Sequence, residues 1–170
     1  MRVVFNSSAK FKGILSLNDC LAKGPCLLNE LLGIFMRFRQ KQFAFIGDIS
    51  KMFHSIEIPV HDQMTHLFLW RDMQLDKIPE TYALTALNMG DTPASAIAQT
   101  ALQMTAEEAA GKFPEASEMI MRNSYMNDIL ASAESKEAGM KIMNYTETFL
   151  ESKNFKIIKL EVFGEEDSKR

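Results

Sequence analysis

The chain has 170 residues, 46% of them hydrophobic and 24% charged, enough apolar material for one sizeable core in a single domain. Its net charge of −3 argues against a free-standing nucleic-acid binder. No apolar run approaches the roughly 20 residues of a membrane span, and Met1-Arg2-Val3-Val4-Phe5 lacks the long apolar core of a signal peptide, so an intracellular protein, cytoplasmic or nuclear, is expected.

From the N-terminus, Arg2 to Phe5 reads as a short β-like run, followed by the turn-prone Asn6-Ser7-Ser8. Cys20 and Cys26 are the two cysteines. Their spacing fits no zinc knuckle, and reduced packing thiols are expected. Gly24-Pro25 is expected to open a helix in which Leu27, Leu28, Leu31, Leu32, Phe35 and Phe38 recur at helical spacing. Arg37, Arg39 and Lys41 end it with positive charge, which the helix dipole alone accounts for. Residues 1–60 carry 8 Lys/Arg against 4 Asp/Glu, and residues 61–170 carry 11 against 18. A basic front half suits phosphates; uneven solvated surface explains it nearly as well.

Gln42 to Phe53 is the centre of the sequence. An apolar run, Phe43-Ala44-Phe45-Ile46-Gly47, reads as a buried strand with Asp48 at its end, and Phe53 follows five residues later. Asp48 there is either a helix cap or an acid held on a rigid base within reach of a ligand. Pro59 to Asp62 reads as a short helical or turn segment. Thr65 to Trp70 and Glu80 to Leu87 read as strands around a polar connection, with Trp70 in the core. Thr92 as N-cap and Pro93 at the first helical position open an Ala-rich helix running to Ala110, stopped by Gly111. Met119-Ile120-Met121 and Ile129-Leu130-Ala131 are apolar arms around a hairpin tip, Ser124-Tyr125-Met126-Asn127-Asp128. A helix from Ser135 to about Ser152 and a strand from Phe155 to Phe163 complete the fold, before a charged tail at 164–170. His54, His61 and His66 show no metal-ligand pattern and are assigned no role.

Asp48 and Asp128 meet if their strands are neighbours in one antiparallel sheet. Two carboxylates so placed suit a hard divalent cation. Spacing alone does not bring them together.

Seven stretches, in order, resemble the reverse transcriptases of BEL/Pao-type LTR retroelements. They are Arg2 to Lys10, Ser16 to Asp19, Lys23-Gly24-Pro25, Asp48 to His54, Phe68-Leu69-Trp70-Arg71, Met89 to Pro93, and Tyr125 to Leu130. The resemblance runs from residue 2 to about residue 160. It implies an α+β, palm-type polymerase core, an antiparallel sheet backed by helices, over residues 1–163, with 1–41 as truncated fingers and 42–163 as palm. It further implies that Asp48 and Asp128 hold Mg²⁺ or Mn²⁺, weakly, and that Phe53 lies under the nucleotide's sugar and excludes a 2′-hydroxyl. Arg2 and Lys10 would face the triphosphate, and Met89 and Gly90 would line the nucleotide and template pocket. The implied partners are an RNA or DNA template-primer, deoxynucleoside triphosphates and further polyprotein domains. The implied reaction is attack of a primer 3′-hydroxyl on the α-phosphate, assisted by two metal ions.

The family's tip reads Tyr-x-Asp-Asp where this chain has Tyr125-Met126-Asn127-Asp128. Asn keeps a carbonyl acceptor but no charge, so the catalytic set is Asp48, Asp128 and a neutral Asn127. Asn6 likewise stands where the family usually has Asp. No thumb is expected after Phe163, and the isolated chain is expected to be impaired. The alternative is a non-catalytic palm fragment that binds nucleic acid or protein.

Overall fold

The structure is a computed structural model that describes residues 5–164. These residues form two compact units that interleave in sequence. One comprises residues 5–24 and 53–95, the other 25–52 and 96–164. The expected β-like run at Arg2 lies outside the described residues, apart from Phe5, which is not in a strand.

The larger unit is built on a four-stranded antiparallel sheet in the order β4-β5-β1-β6. Its strands are β1 (Phe43–Ser50), β4 (Ser124–Tyr125), β5 (Asp128–Ala133) and β6 (Lys156–Phe163). Side chains alternate across a strand, so β1 buries Phe43, Phe45 and Ile49 on one face and leaves Asp48 half-buried on the other. On β5, Ile129, Ala131 and Ala133 are buried while Asp128 and Leu130 are half-buried. Helices α5 (Pro114–Asn123) and α6 (Lys136–Glu151) pack against the sheet and each other. They contribute Ile120, Met143 and Leu150 to the core, each such burial stabilising by about 1.5–3 kcal/mol. Gly139 on α6 lies directly against Phe45 of β1. A Cβ built on it would lie 1.9 Å from the Phe45 ring, so only a residue without one lets that ring seat.

The same unit contains α2 (Leu31–Phe38), which packs on β5, and α4 (Ala94–Ala109), which from Ala96 onward buries Ala98, Leu102, Ala106 and Ala109. The helix expected from Pro25 begins only at Leu31. Residues 25–30 are non-helical because Asn29 donates from its side chain to the carbonyls of Met121 and Ser124, both at 2.9 Å. Leu31, Leu32, Phe35 and Met36 are exposed, and Ile34 is the buried residue of the turn. Arg37 does more than complement a dipole. Its Nε donates to Asn123 Oδ1 at 2.7 Å and its Nη2 to the Arg122 carbonyl, so Asn29 and Arg37 together satisfy the C-terminal end of α5. Met119-Ile120-Met121 belongs to that helix and not to a hairpin arm, Pro114 standing at its first turn.

The smaller unit contains α1 (Leu17–Cys20), α3 (Val60–Gln63) and a two-stranded sheet of β2 (Leu67–Trp70) and β3 (Glu80–Ala83). Ser16 and Asp19 cap α1 reciprocally, Asp19 N–H donating to Ser16 Oγ at 3.2 Å and Ser16 N–H to Asp19 Oδ2 at 3.0 Å. Trp70 is half-buried, its indole N–H bound to Asp72 at 2.7 Å, so it is not a core residue. Cys20 and Cys26 are free and exposed, not packed. No described helix is long and apolar enough to cross a membrane.

Candidate active site

Asp48 and Asp128 are register partners across β1 and β5. Asp48 does not end its strand as expected. Pairing of Ile49 and Ser50 with Ile157 and Lys156 carries β1 two residues further. The acid therefore sits on an internal strand, hydrogen-bonded on both sides, and its Cα has little freedom.

The opposite acid is delivered by a two-residue turn. Tyr125 pairs with Asp128, leaving Met126 and Asn127 as the tip. Met126 has φ +54°, a left-handed conformation costing a non-glycine residue roughly 1–2 kcal/mol. Tertiary bonds hold it there: Gln99 Nε2 donates to the Met126 carbonyl at 3.2 Å, and the Ile49 N–H donates to the Asn127 carbonyl at 2.7 Å. Asn127 Nδ2 donates a short hydrogen bond to Asp48 Oδ1. Burial, and then the charge of Asp48, push the Asp128 carboxyl above its ordinary range.

Two carboxylates thus face one another with one amide beside them. Among the described residues no group of three or more His, Cys, Asp or Glu is placed to hold a metal. The donor set fits a single hard divalent cation between Asp48 and Asp128. The Asn127 amide already occupies one Asp48 oxygen from the donor side, where a third carboxylate would have added charge.

The remaining expected site residues fall in the smaller unit. Phe53 is buried within a short 3-10 turn, Met52–Ser55. Met89 is exposed, and the Gly90 carbonyl accepts from Asn18 Nδ2 at 2.9 Å. A Cβ on Gly90 would meet the Phe5 carbonyl oxygen at 3.3 Å, a tight fit. Lys10 pairs with Asp19 at 3.1 Å on the surface. The bonds from Ser16 and then from Lys10 hold the Asp19 carboxyl below its usual range. Arg2 lies outside the described residues.

One cluster escaped sequence reasoning. Asp91, within the turn after Asn88, accepts from Ser7 Oγ at 2.5 Å, from Asn88 Nδ2 at 2.8 Å, and pairs with His66 Nε2 at 2.7 Å. Thr92, expected as a helix N-cap, instead has its N–H bound to Asn18 Oδ1 at 2.8 Å, and the Ala94 N–H is taken by the Asp91 carbonyl at 3.0 Å. Two of the three partners of Asp91 come from positions 7 and 66, separations at which no motif spacing operates.

The sequence matches no family model and no curated protein. In three dimensions the chain is similar to the foamy viral protease-reverse transcriptase dRH solved in complex with double-stranded DNA. The TM-score is 0.65 at 17% identity, over 84% of this chain and 22% of that one. It is also similar to the foamy viral protease-reverse transcriptase in complex with an RNA/DNA hybrid. There the TM-score is 0.57 at 18% identity, over 76% of this chain and 15% of that one. The fold is therefore reverse-transcriptase-like, an α+β core of the palm type. The chain spans less than a quarter of either protein.

Proposed function

We propose that this chain is the core of a retroelement reverse transcriptase of the BEL/Pao type, an RNA-directed DNA polymerase weakened by Asn127. Residues 1–41 are its partial fingers and 42–163 its palm. The observation that carries the reading is the register of Asp48 opposite Asp128 on neighbouring antiparallel strands, with the Tyr125-Met126-Asn127-Asp128 tip between them. That arrangement puts two carboxylates on the less buried side of a rigid sheet in a fold shared with reverse transcriptases.

Asp48 and Asp128 would hold Mg²⁺ or Mn²⁺, which when bound supplies Lewis-acid activation of a hydroxyl and neutralises a phosphate. The protein's own part is positional. β1 and β5 fix the two acids, and Gln99 and the Ile49 N–H fix the tip that carries one of them. Phe53 would bar a 2′-hydroxyl, Met89 and Gly90 would line the nucleotide and template side, and Arg2 and Lys10 would neutralise the triphosphate. Template-primer and deoxynucleoside triphosphates are the substrates in this reading, and further polyprotein domains are its partners. Replacing a charged donor at the reacting centre by a neutral one commonly costs roughly a hundredfold in rate.

A second reading is supported by the Asn127–Asp48 hydrogen bond. It gives Asp48 a neutral partner in place of a cation, as expected of a palm retained for binding nucleic acid or protein and not for catalysis. Primer extension on an RNA template with Mn²⁺, comparing the chain with Asn127→Asp, separates the two. Incorporation by the wild type supports the enzyme. Incorporation only after the substitution identifies a palm disabled by one lost charge. Silence from both folded proteins favours the binding module.

A further inference from the structure

We propose that a cavity of the smaller unit, between the loop at residues 5–9 and the start of β2, binds one neutral heterocycle with an N–H donor beside an acceptor, the chemistry of a nucleobase edge. The cavity measures about 170 Å³. Phe5, Leu17 and Leu67 give it apolar walls, and Asn6, His66 and Asn88 stand in its polar lining. Neither Met89 nor Gly90 lines it, and Asp48 and Asp128 belong to the larger unit.

A nearly buried acceptor in this lining is unmet. Asn88 is 6% exposed. Its Nδ2 donates to Ser7 Oγ at 2.9 Å and to Asp91 Oδ1 at 2.8 Å, which uses both amide hydrogens. A carboxylate oxygen only accepts, so the atom facing Asp91 is the nitrogen and the other branch of the amide is Oδ1. No described group donates to that oxygen. Since no fully buried side-chain nitrogen or oxygen of the described residues lacks a partner, Oδ1 keeps a small accessible area, and the cavity is the open space that Asn88 lines. On the exposed side the polarity is reversed. Asn6 Oδ1 accepts the Ser8 N–H at 3.2 Å, and Asn6 Nδ2 meets no described acceptor.

Size and charge narrow the ligand. At about 30 Å³ per water the cavity has room for about five or six waters, and it lies below the roughly 300 Å³ at which sites for drug-sized ligands begin. One ring system fits; a nucleotide with its phosphates does not. No Asp, Glu, Lys or Arg lines the cavity. Both ring nitrogens of His66 are already engaged, Nδ1 with Thr65 Oγ1 at 2.8 Å and Nε2 with Asp91 Oδ2 at 2.7 Å. The bound group is therefore neutral, with an N–H for Asn88 Oδ1, an acceptor for Asn6 Nδ2, and a flat apolar body against Leu17, Leu67 and the Phe5 ring, which stands edge-on to Phe68 at 5.1 Å. A simple amide would meet both polar atoms and leave the apolar walls bare; a nucleobase covers both.

NMR of the full chain titrated with adenosine tests the site, beside dimethyladenosine, whose exocyclic nitrogen carries two methyl groups and no hydrogen. Adenosine should shift the amides of Asn6, Ser7, His66 and Leu67 and the Asn88 side chain saturably, at roughly millimolar concentration for a ligand this small. The dimethyl analogue leaves Asn88 Oδ1 unmet and should bind about 5- to 100-fold more weakly. Ala9→Leu, at a lining position whose side chain makes no hydrogen bond, should fill the cavity and abolish the saturable shifts with the circular-dichroism spectrum unchanged. A single-stranded oligoadenylate separates the two sources of the base. Shifts at the same residues at lower concentration place a strand's base in the cavity, and shifts with adenosine alone place a free base there. No saturable shift with either probe, equal affinity for the dimethyl analogue, or undiminished binding by folded Ala9→Leu means that the cavity takes water only and overturns the site. Should Ala9→Leu fail to fold, the two adenosines decide alone. None of these readouts uses Asp48 or Asp128, so a silent primer-extension assay leaves the site standing, and an unfilled cavity leaves the polymerase reading standing.

Discussion

Two aspartates divide the chemistry of this chain, and their surroundings are opposites. Asp48, on the sheet of the larger unit, faces another carboxylate and receives one side-chain donor, the Asn127 amide. Asp91, in the smaller unit, receives a hydroxyl and an amide on one oxygen and a ring nitrogen on the other. Burial, and then the charge of Asp48, push the Asp128 carboxyl up, a cost that a proton or a cation relieves. The Asp91 cluster already contains its own donors. Among the described residues no buried side-chain polar atom lacks a partner. A carboxylate short of donors is arranged to meet something from outside; one saturated with donors is arranged to hold the fold.

Removing the saturated acid should therefore cost more stability than altering the unsaturated ones. Asp91→Ala leaves the Ser7 hydroxyl, the Asn88 amide and the His66 ring without their shared acceptor, an expected loss of about 3 kcal/mol in urea unfolding monitored by circular dichroism. Asn127→Asp should act on chemistry instead. Adding the missing charge is expected to raise primer extension roughly a hundredfold and to tighten Mn²⁺ binding measured by calorimetry. Equal titrations of the two proteins would remove the single-cation reading of Asp48 and Asp128. Gly139→Ala separates packing from both sites. Its Cβ would run into the Phe45 ring, for an expected loss of about 1–3 kcal/mol with the smaller unit's hydrogen bonds unchanged.

Smaller effects sharpen the contrast at the tip. Met126→Gly relieves a left-handed methionine and should stabilise the larger unit by up to about 1 kcal/mol, offset in part by the greater freedom of glycine in the unfolded chain. Asp128→Asn tests, by its pH dependence, the carboxyl raised by burial and by Asp48. A carboxyl whose folded-state pKa is raised binds more protons folded than unfolded, so stability falls as pH climbs from the ordinary aspartate range through the raised value. The substitution should flatten that part of the profile in thermal melts and leave the protein more stable at neutral pH. Identical profiles for the two proteins would mean that neither burial nor Asp48 raises the Asp128 carboxyl.

How much of this was readable beforehand depended on the range of the interactions. The β1 run, β6, the strands β2 and β3, and α6 were legible because period and propensity act within a few residues. The hairpin tip was legible from Asn-Asp between apolar residues, although Met119 to Met121 proved helical. Ten residues beginning at Pro114 are too few for an apolar stripe to distinguish a short helix from a strand. The helix from Pro25 failed for a different reason. Asn29 finds better acceptors 92 and 95 residues away, at Met121 and Ser124, than any helix of its own would provide. His66 had no legible role because its partner is 25 residues on and the pair forms no known ligand spacing.

The sequence by itself determined the composition of the candidate site: two acids, an amide where the resembled family has a third acid, and an aromatic residue after the first strand. It determined the local elements too, because hydrophobic periodicity and turn chemistry are encoded by neighbours in the chain. Only the tertiary structure decided that Asp48 and Asp128 stand opposite one another, that the Asn127 amide is spent on Asp48, and that Asp91 is met by Ser7, Asn88 and His66. The pairing of two charges is a matter of ångströms, and Coulomb energy falls with distance in space whatever the separation along the chain.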